Sequence, residues 1–482
     1  MAVVVWQGRS YYRPTADSVT DITGMTTVGL TAAGIIMMLG TATGGTPFGV
    51  QKFNDSVSAR RYFKSGALID AMDAAWAEGA RTIYATRIGN TTGIDAVAQA
   101  TGSLLNGATS VVVLTSQDYG SWTNDIRYKV EDGSGVTPVG KKVTIQWYDT
   151  STGTVSTETW DNLLDGTAIV DAINNGVGKI AGSSLVEASV GTNPSLVPDN
   201  IGFTSLAGGA DGLSPVLANW QAALDLYNEE TVDVLHPAGT SDETVHALFK
   251  AHCVERSNKR YERICILGGA LGEAAGNIST PDTAVYRAYN LNTARAVLVA
   301  PGTDDEAPYF TAAKIAGAVA SADVATSLTR RTINATSIET KYSDTNKDDL
   351  VTYGVLTIEE VPQGRRVIRG ITTIQDTSLT QESPYKEITT VRIADYVNNV
   401  MRTNLEGIYI GKKGVSGVEA SIASDATSLL LKLKEAQIIL GFQNVVVNRD
   451  TSDPKIIYVS YSIAPIQPIN FIFITTKLVN IL

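Results

Sequence analysis

At 482 residues the chain exceeds what one hydrophobic core organises, so roughly two to four domains are expected. An apolar fraction of 44% with 18% charged residues belongs to a folded globular protein and excludes a disordered or membrane-embedded chain. A formal charge of −11, with no basic run longer than two residues, argues against nucleic acid as a direct partner.

The first predicted element is Ala2 to Trp6, AVVVW, a short strand-like run that includes Val3, Val4, Val5 and Trp6. Arg9 to Gly24 is rich in Thr, Ser and Asp with little periodicity and reads as a linker laid along a surface. The N-terminus lacks a basic n-region and a long apolar core, so no signal peptide is expected. Val28 to Thr43 is too short and too broken by Gly29, Gly34 and Gly40 to cross a bilayer, and no membrane insertion is expected.

From Gly34 the pattern changes. Ile35 to Leu39 is a compact buried strand and Ser56 to Phe63 a short helix. Leu68, Met72, Ala75 and Trp76 form the apolar stripe of a second helix that Gly79 can stop, and Thr82 to Ile88 is another strand. Strand, helix, strand in this order predicts a β-α-β unit with a parallel sheet. From about Ser110 to Pro198 short strands are punctuated by Thr, Gly and Asp. Val143, Ile145 and Trp147, a turn at Asp149 to Gly153, and Val155 to Trp160 predict an antiparallel insertion, with one helix near Ala168 to Asn175.

After Gly208 to Gly212 the α/β alternation resumes: helix at Pro215 to Tyr227, strand at Val232 to Leu235, helix at Asp242 to Arg256, strand at Arg263 to Leu267. Beyond Pro301 an acidic turn precedes an alanine-rich helix, Tyr309 to Ala322. Strands at Val355 to Glu359 and Arg365 to Thr373 are joined by VPQG. Helices follow near Val391 to Leu405 and at Asp425 to Leu440; in the second, Leu429, Leu433, Ala436 and Leu440 share a face, with Ser424 as start cap and Gly441 as stop.

The chain closes on two strand-like runs. In the first, Ile457, Val459, Tyr461 and Ile463 alternate with wetter positions; in the second, Ile469, Phe471 and Phe473 point one way and Ile472 and Ile474 the other. Pro465 and Pro468 make PIQP between them a stiff extended connector and not a tight hairpin. An apolar strand at a chain end needs a sheet to accept it. It either completes its own domain or pairs with another copy, and the same choice faces Ala2 to Trp6.

Signals for chemistry are weak. His246 and His252, six apart, fall on different faces of their helix. With His236, Cys253 and Cys265 they form no ligand pattern, so no metal is expected; His252 reads as a partly buried neighbour of Val245, Leu248 and Phe249. Two cysteines are too few for a disulfide framework and point to folding under reducing conditions. Gly268, Gly269, Gly272 and Gly276 do not make GxGxxG, and Gly407 to Lys413 misses the phosphate-loop spacing, so these glycines read as turns and close packing and no cofactor is expected. With three histidines and no GxSxG, catalytic residues are not expected.

Taken in order, GIIMMLGTATGGTPFGVQKFND, GARTIYATRIG, GGADG, GVLTIEEVPQGRRVIRGITT, YIGKKG and YSIAPIQPINFIFIT resemble segments of the contractile tail sheath proteins of long-tailed phages and of phage-tail-like bacteriocins. The resemblance spans most of the chain, is weakest in the β insertion and is most specific at the C-terminus. It implies a non-enzymatic virion subunit, assembled in the host cytoplasm, that stacks helically in six-fold rings around a tail tube. Its partners would be itself, the tail tube protein, and baseplate and tail terminator proteins, with no direct nucleic acid. The implied fold is α/β and α+β multidomain: a subtilisin-like α/β domain, an inserted mostly-β outer domain and a C-terminal α+β domain with exchanged terminal strands.

Mapped onto this chain, that gives an arm and linker over 1–24, an outer α/β domain over 25–109 plus 199–300, a β-rich insertion over 110–198, a tube-facing domain over 301–464 and a C-terminal arm over 465–482. The exchanged strands would be Val3 to Trp6 and Ile469 to Ile474, and the acceptor sheet would carry Ile457, Val459, Tyr461 and Ile463. Lys432, Lys434 and Glu435 are candidate tube-facing charges, with Arg392, Arg402, Lys412 and Lys413 as a second set; an ordinary solvated helix face is the competing reading. A sheath of a headless injector, or an α/β enzyme, are the alternatives in function.

Overall fold

A computed structural model describes residues 4–6, 9–11, 34–93, 96–135, 140–149, 153–376 and 382–476. The chain divides into two units, 1–33 and 34–482. In the first, β1 (Val4–Trp6) pairs antiparallel with β2 (Arg9–Tyr11), Val4 opposite Tyr11 and Trp6 opposite Arg9. The expected linker therefore opens with a strand; three residues of mixed polarity are too short a run for alternation to reveal. Val3 and the rest of that linker lie outside the described residues.

The second unit is organised by a nine-stranded sheet. It starts with β3 (Ile35–Gly40), β4 (Gln51–Phe53), α1 (Ser56–Phe63), α2 (Ala67–Ala77) and β5 (Thr82–Arg87), β3 and β5 running parallel. Strand periodicity splits β3 between two cores. Ile36 and Met38 join the cluster formed with α1 and α2, while Met37 and Leu39 join the cluster on the opposite face. Both faces are covered, which is why β3 is a continuous apolar run.

The insertion follows: β6 (Thr101–Asn106), β7 (Thr109–Ser116), β8 (Ile126–Asp132), β9 (Lys141–Asp149), β10 (Gly153–Leu163), α3 (Gly166–Asn175), β11 (Val186–Val190) and β12 (Ile201–Ser205). They form a three-stranded sheet, β11-β7-β6, and a four-stranded one, β10-β9-β8-β12, around their own core, which includes Trp160 at 1% exposure. The antiparallel β insertion is thus present, but it begins at β6 and ends with β12, wider than 110–198. The polar TGSLLN run of β6 carries little apolar signal of its own and is fixed by pairing to β7.

The α/β alternation resumes with α4 (Leu217–Asp225), β13 (Val234–Pro237), α5 (Glu243–Asn258), β14 (Ile264–Gly268), α6 (Ala284–Leu291), β15 (Ala296–Ala300), α7 (Pro308–Ser321), β16 (Thr332–Ile333), α8 (Asp344–Thr352), β17 (Val355–Val361) and β18 (Gly364–Val367). The sheet order is β16-β18-β17-β15-β14-β13-β3-β5-β4, with β17 parallel to β15. The boundary expected at 301 therefore cuts a continuous sheet. Pro301 and the acidic turn are a loop inside a repeating β-α-β unit, and nothing in their composition separates such a loop from a linker.

Helix α7 is buried along nearly its whole length because its alanines admit α2 at close range. A Cβ at Gly317 would stand 2.2 Å from the Ala75 carbonyl oxygen, so only glycine permits this crossing. Gly268, weighed in sequence as part of a nucleotide loop, meets the Pro308 carbonyl at the start of α7 in the same way.

The histidines are structural. His236 donates from Nδ1 to the Ile266 carbonyl at 2.9 Å, and His252 Nε2 accepts from the buried Arg263 guanidinium at 3.0 Å. Burial holds His236 at a pKa of about 4 and, with repulsion from Arg287, His246 at about 3; burial and Arg263 hold His252 at about 4. A histidine depressed in the folded state stabilises above its unfolded value, near 6.5, and loses that contribution as pH falls towards the folded value. Glu273, pushed up to about 7 by burial against the pull of Arg287, runs the opposite way. At pH 5.5 the three histidines together cost about 4 kcal/mol and Glu273 offsets about 2 kcal/mol. The expected result is a net loss of about 2 kcal/mol between pH 7.5 and 5.5, read from denaturant midpoints. A flat profile would contradict the burial of these rings.

The last elements are α9 (Ile388–Tyr409), α10 (Val418–Glu435), β19 (Ile439–Arg449) and β20 (Ile457–Pro465). The final helix lies seven residues earlier at its start than the expected Asp425, and ends at Glu435 with Gln437 at φ 56°. Ser424 is inside it, and Leu440 belongs to β19. The apolar spacing of Leu429, Leu433, Ala436 and Leu440 simply runs on past the helix end, where a positive φ turns the chain.

Candidate assembly interface

Three arginine contacts fasten α9 to the α/β body. Arg295, at the root of β15, grips both oxygens of Asp395; Arg402 grips Glu262 with two bonds of 2.6 Å; Arg392 donates to the Ala322 and Asp323 carbonyls after α7. Arg392 and Arg402, two of the second set of expected tube-facing charges, are thus committed inside the chain. A count of charges along a helix does not reveal partners more than sixty residues away in sequence.

On this base α10 packs through Ile422, Ala426, Leu429, Leu430 and Leu433, and the Tyr409 hydroxyl donates to Asp425 at 2.6 Å, tying the two helices. Lys432, Lys434 and Glu435 occupy the exposed face of the last turn of α10. The two lysines there complement the helix dipole whatever else they meet.

Strands β19 and β20 form an antiparallel ladder of two strands, running from Ile439 opposite Pro465 to Arg449 opposite Ile457. Its base is secured by Arg449, which donates to Glu419 at 2.5 Å and to the Pro454 carbonyl at 2.7 Å. Ile457, Val459, Tyr461 and Ile463 lie together on the half-buried face of β20. The opposite face exposes Tyr458 at 56%, with Val446 and Leu440 of β19 also open. Among the described residues the outer edges of both strands have no neighbour, so a row of backbone donors and acceptors stands ready for a third strand. Sequence reasoning found β20 and read Val445 to Val447 as leading into the terminal strands, but it placed Leu440 in the preceding helix, although it belongs to the ILGFQNVVV run of β19.

The run after β20 behaves differently. Residues 466–476 form no ladder, and Ile469, Phe471, Ile472, Phe473 and Ile474 are 72 to 93% exposed. The extended backbone stacks Phe471 on Phe473, with centroids 6.3 Å apart. Asn470 donates to Glu387 at 3.0 Å. The expected second strand is therefore not formed within the described chain: a strand exists only where an edge receives it, and none lies alongside.

Among the described residues no group of three or more His, Cys, Asp or Glu side chains could hold a metal ion, and no helix is long and apolar enough to cross a membrane. Cys253 and Cys265 are both buried, and burial pushes the Cys265 thiol up.

Comparison with known proteins matches residues 217–373 to the phage tail sheath protein central domain and 380–478 to the phage tail sheath C-terminal domain. The chain is 34% identical over 292 residues to the tail sheath protein of Bacillus phage SP01, covering 58% of this chain and 48% of that one. It is 23% identical over 572 aligned positions to the putative tail sheath protein of Enterococcus phage phiEF24C, covering 98% and 97%. The chain thus spans about half the length of the first relative and nearly all of the second. In fold it is similar to the sheath tail protein from Desulfitobacterium hafniense, with a TM-score of 0.69 at 15% identity over 95% of this chain and 97% of that one. It is also similar to the helical sheath of the anti-feeding prophage in its contracted state, with a TM-score of 0.53 at 11% identity over 96% and 98%.

Proposed function

We propose, because this chain belongs to the phage tail sheath family, that it is the repeating structural subunit of a contractile sheath, polymerising helically around a tail tube and shortening to drive that tube through the host envelope. The observation that carries this reading is that, among the described residues, an unclosed two-stranded ladder stands beside an apolar, strand-grade run that has no sheet of its own. Each subunit would lend Ile469 to Ile474, and Val3 to Trp6 at the other end, to ladders of neighbouring copies.

Contraction requires subunits to rotate and move outward without parting. A borrowed strand of about five backbone hydrogen bonds, each contributing roughly 0.5 to 1.5 kcal/mol net, supplies a link that outlasts weaker body-to-body contacts. Apolar burial adds roughly 25 cal/mol per Å². The PIQP connector and the polar stretch after Tyr11 would then act as hinges. The extended array is held metastable by tube and baseplate, and shortening runs downhill. Lys432, Lys434 and Glu435 would meet the tube, a grip weakened by salt. In this reading the subunit performs no catalysis, and it is assembled in the host cytoplasm with tube, baseplate and terminator proteins.

The test is a chain lacking Met1 to Tyr12. We expect a folded subunit that gives no striated hollow tubes in negative stain, where the full chain does. Normal contractile tubes from the truncated chain would refute donation of the N-terminal strand.

A further inference from the structure

The arm beyond β20 is tied to its own body by a polar contact. Asn470 Nδ2 donates to Glu387 Oε1 at 3.0 Å, from inside the exposed apolar run Ile469 to Ile474. Glu387 is buried at the N-cap of α9 and accepts at the same oxygen from Arg369 Nε at 2.7 Å; Arg369 also reaches Glu382 at 2.6 Å. The anchor is therefore fixed by the body whether or not the arm rests on it. The grip itself is incomplete. Glu387 Oε2 and Asn470 Oδ1 are both enclosed and, among the described residues, neither has a hydrogen-bond partner. Two acceptors shut in without donors make a contact that is specific in place and weak in hold. Apolar packing adds little to it. Beneath the arm lies a pocket of about 500 Å³ walled by Asp348, Val351, Ile368 and Arg369, yet Phe471 at its mouth remains 72% exposed.

We propose that this contact is a latch: in the unassembled subunit it parks the C-terminal arm on its own body and restrains donation until another copy's ladder competes for the run. The proposal rests on the reading that Ile469 to Ile474 is lent between copies. Parking and lending exclude each other, because Asn470 lies inside the run to be lent and a strand pairs with a foreign edge along its length. Pro465 and Pro468 sharpen the choice. Their stiff connector ends two residues before Asn470, so fixing Asn470 fixes the direction in which the run leaves the body. A firm grip would block assembly, and no grip would leave an apolar strand-forming run loose on every free subunit, where copies of it can aggregate. A weak hold at one polar point avoids both.

Deleting either half of the contact tests the latch in the full chain. Glu387→Ala leaves the arm intact and Asn470→Ala leaves the body intact. Each is expected to lower the critical concentration for tube formation about fivefold, because the fraction of subunits able to donate rises. The double variant is expected to match either single one within about twofold, since both remove the same bond. A nitroxide on Ile472→Cys, the one exposed thiol because Cys253 and Cys265 are buried, is expected to gain mobility in the unassembled subunit with each deletion. Where Glu387→Ala weakens the fold in a denaturant curve, Asn470→Ala decides alone. Equal mobility in parent and variants would overturn the parked arm. A freed arm with an unchanged or raised critical concentration would overturn its restraint on assembly, as would additive effects of the two deletions. Normal tubes from Phe471→Asp with Phe473→Asp would instead take down the donation reading on which the latch rests.

Discussion

Replacing Phe471 and Phe473 together by aspartate is expected to leave the subunit as stable as the parent and to abolish sheath assembly. The two rings are 72% and 93% exposed in the single chain, so the change falls in the class of surface substitutions that shift folding by about 0.5 kcal/mol or less. In an acceptor ladder the same rings would be buried, each contributing roughly 1.5 to 3 kcal/mol. Aspartate removes that gain and brings a carboxylate that must be desolvated. The loss per contact is then at least about 3 to 6 kcal/mol, or roughly a hundredfold to ten-thousandfold, repeated at every subunit of the array. The measurement is the critical concentration for tube formation beside a denaturant curve of the unassembled protein. Unchanged assembly would mean that the arm is not an adhesive strand; a large fall in subunit stability would mean that it belongs to its own domain.

The largest expected effect on stability lies at Arg263, which is 1% exposed. Its guanidinium donates to the Tyr227 carbonyl at 3.0 Å, the Glu230 carbonyl at 2.8 Å and the Tyr261 carbonyl at 3.2 Å, with His252 Nε2 at 3.0 Å. One side chain thereby satisfies the turns on both sides of β13 and α5. Burial pulls its pKa down to about 10, still far above neutral, so it remains a cation held by carbonyl dipoles and not by a carboxylate. Arg263→Met keeps the volume and leaves those carbonyls without a donor, at a cost of about 3 to 5 kcal/mol. His252→Gln, which keeps an acceptor near Nη1, is expected to cost no more than about 1.5 kcal/mol. A loss under about 1 kcal/mol for Arg263→Met, read from denaturant midpoints, would show that water replaces the guanidinium.

The parallel α/β core was legible because each element carries its signal locally. Ile35 to Leu39 is apolar at every position, as a strand covered on both faces must be, and Leu68, Met72 and Ala75 repeat at helical spacing. The 301 boundary was not legible. Whether a proline and an acidic turn end a domain or join α7 to β15 depends on β17 lying beside β15, a pairing of residues more than fifty apart. The end of α10 was missed for a related reason: apolar spacing continues through Leu440, and only the left-handed turn at Gln437 redirects it.

At the assembly surface the division is equally physical. The sequence by itself determined that the chain carries strand-forming runs near its ends, a stiff proline connector between the last two, and no ligand pattern for metal or nucleotide, because residue type and short spacing settle those. The tertiary structure alone decided that, among the described residues, β20 is paired only with β19, Arg392 and Arg402 are held within the chain while Lys412 and Lys413 stay open, and Ile469 to Ile474 finds no edge of its own. Alternation makes a segment able to be a strand; whether it becomes one, and whose, depends on which backbone edges the rest of the fold leaves unpaired.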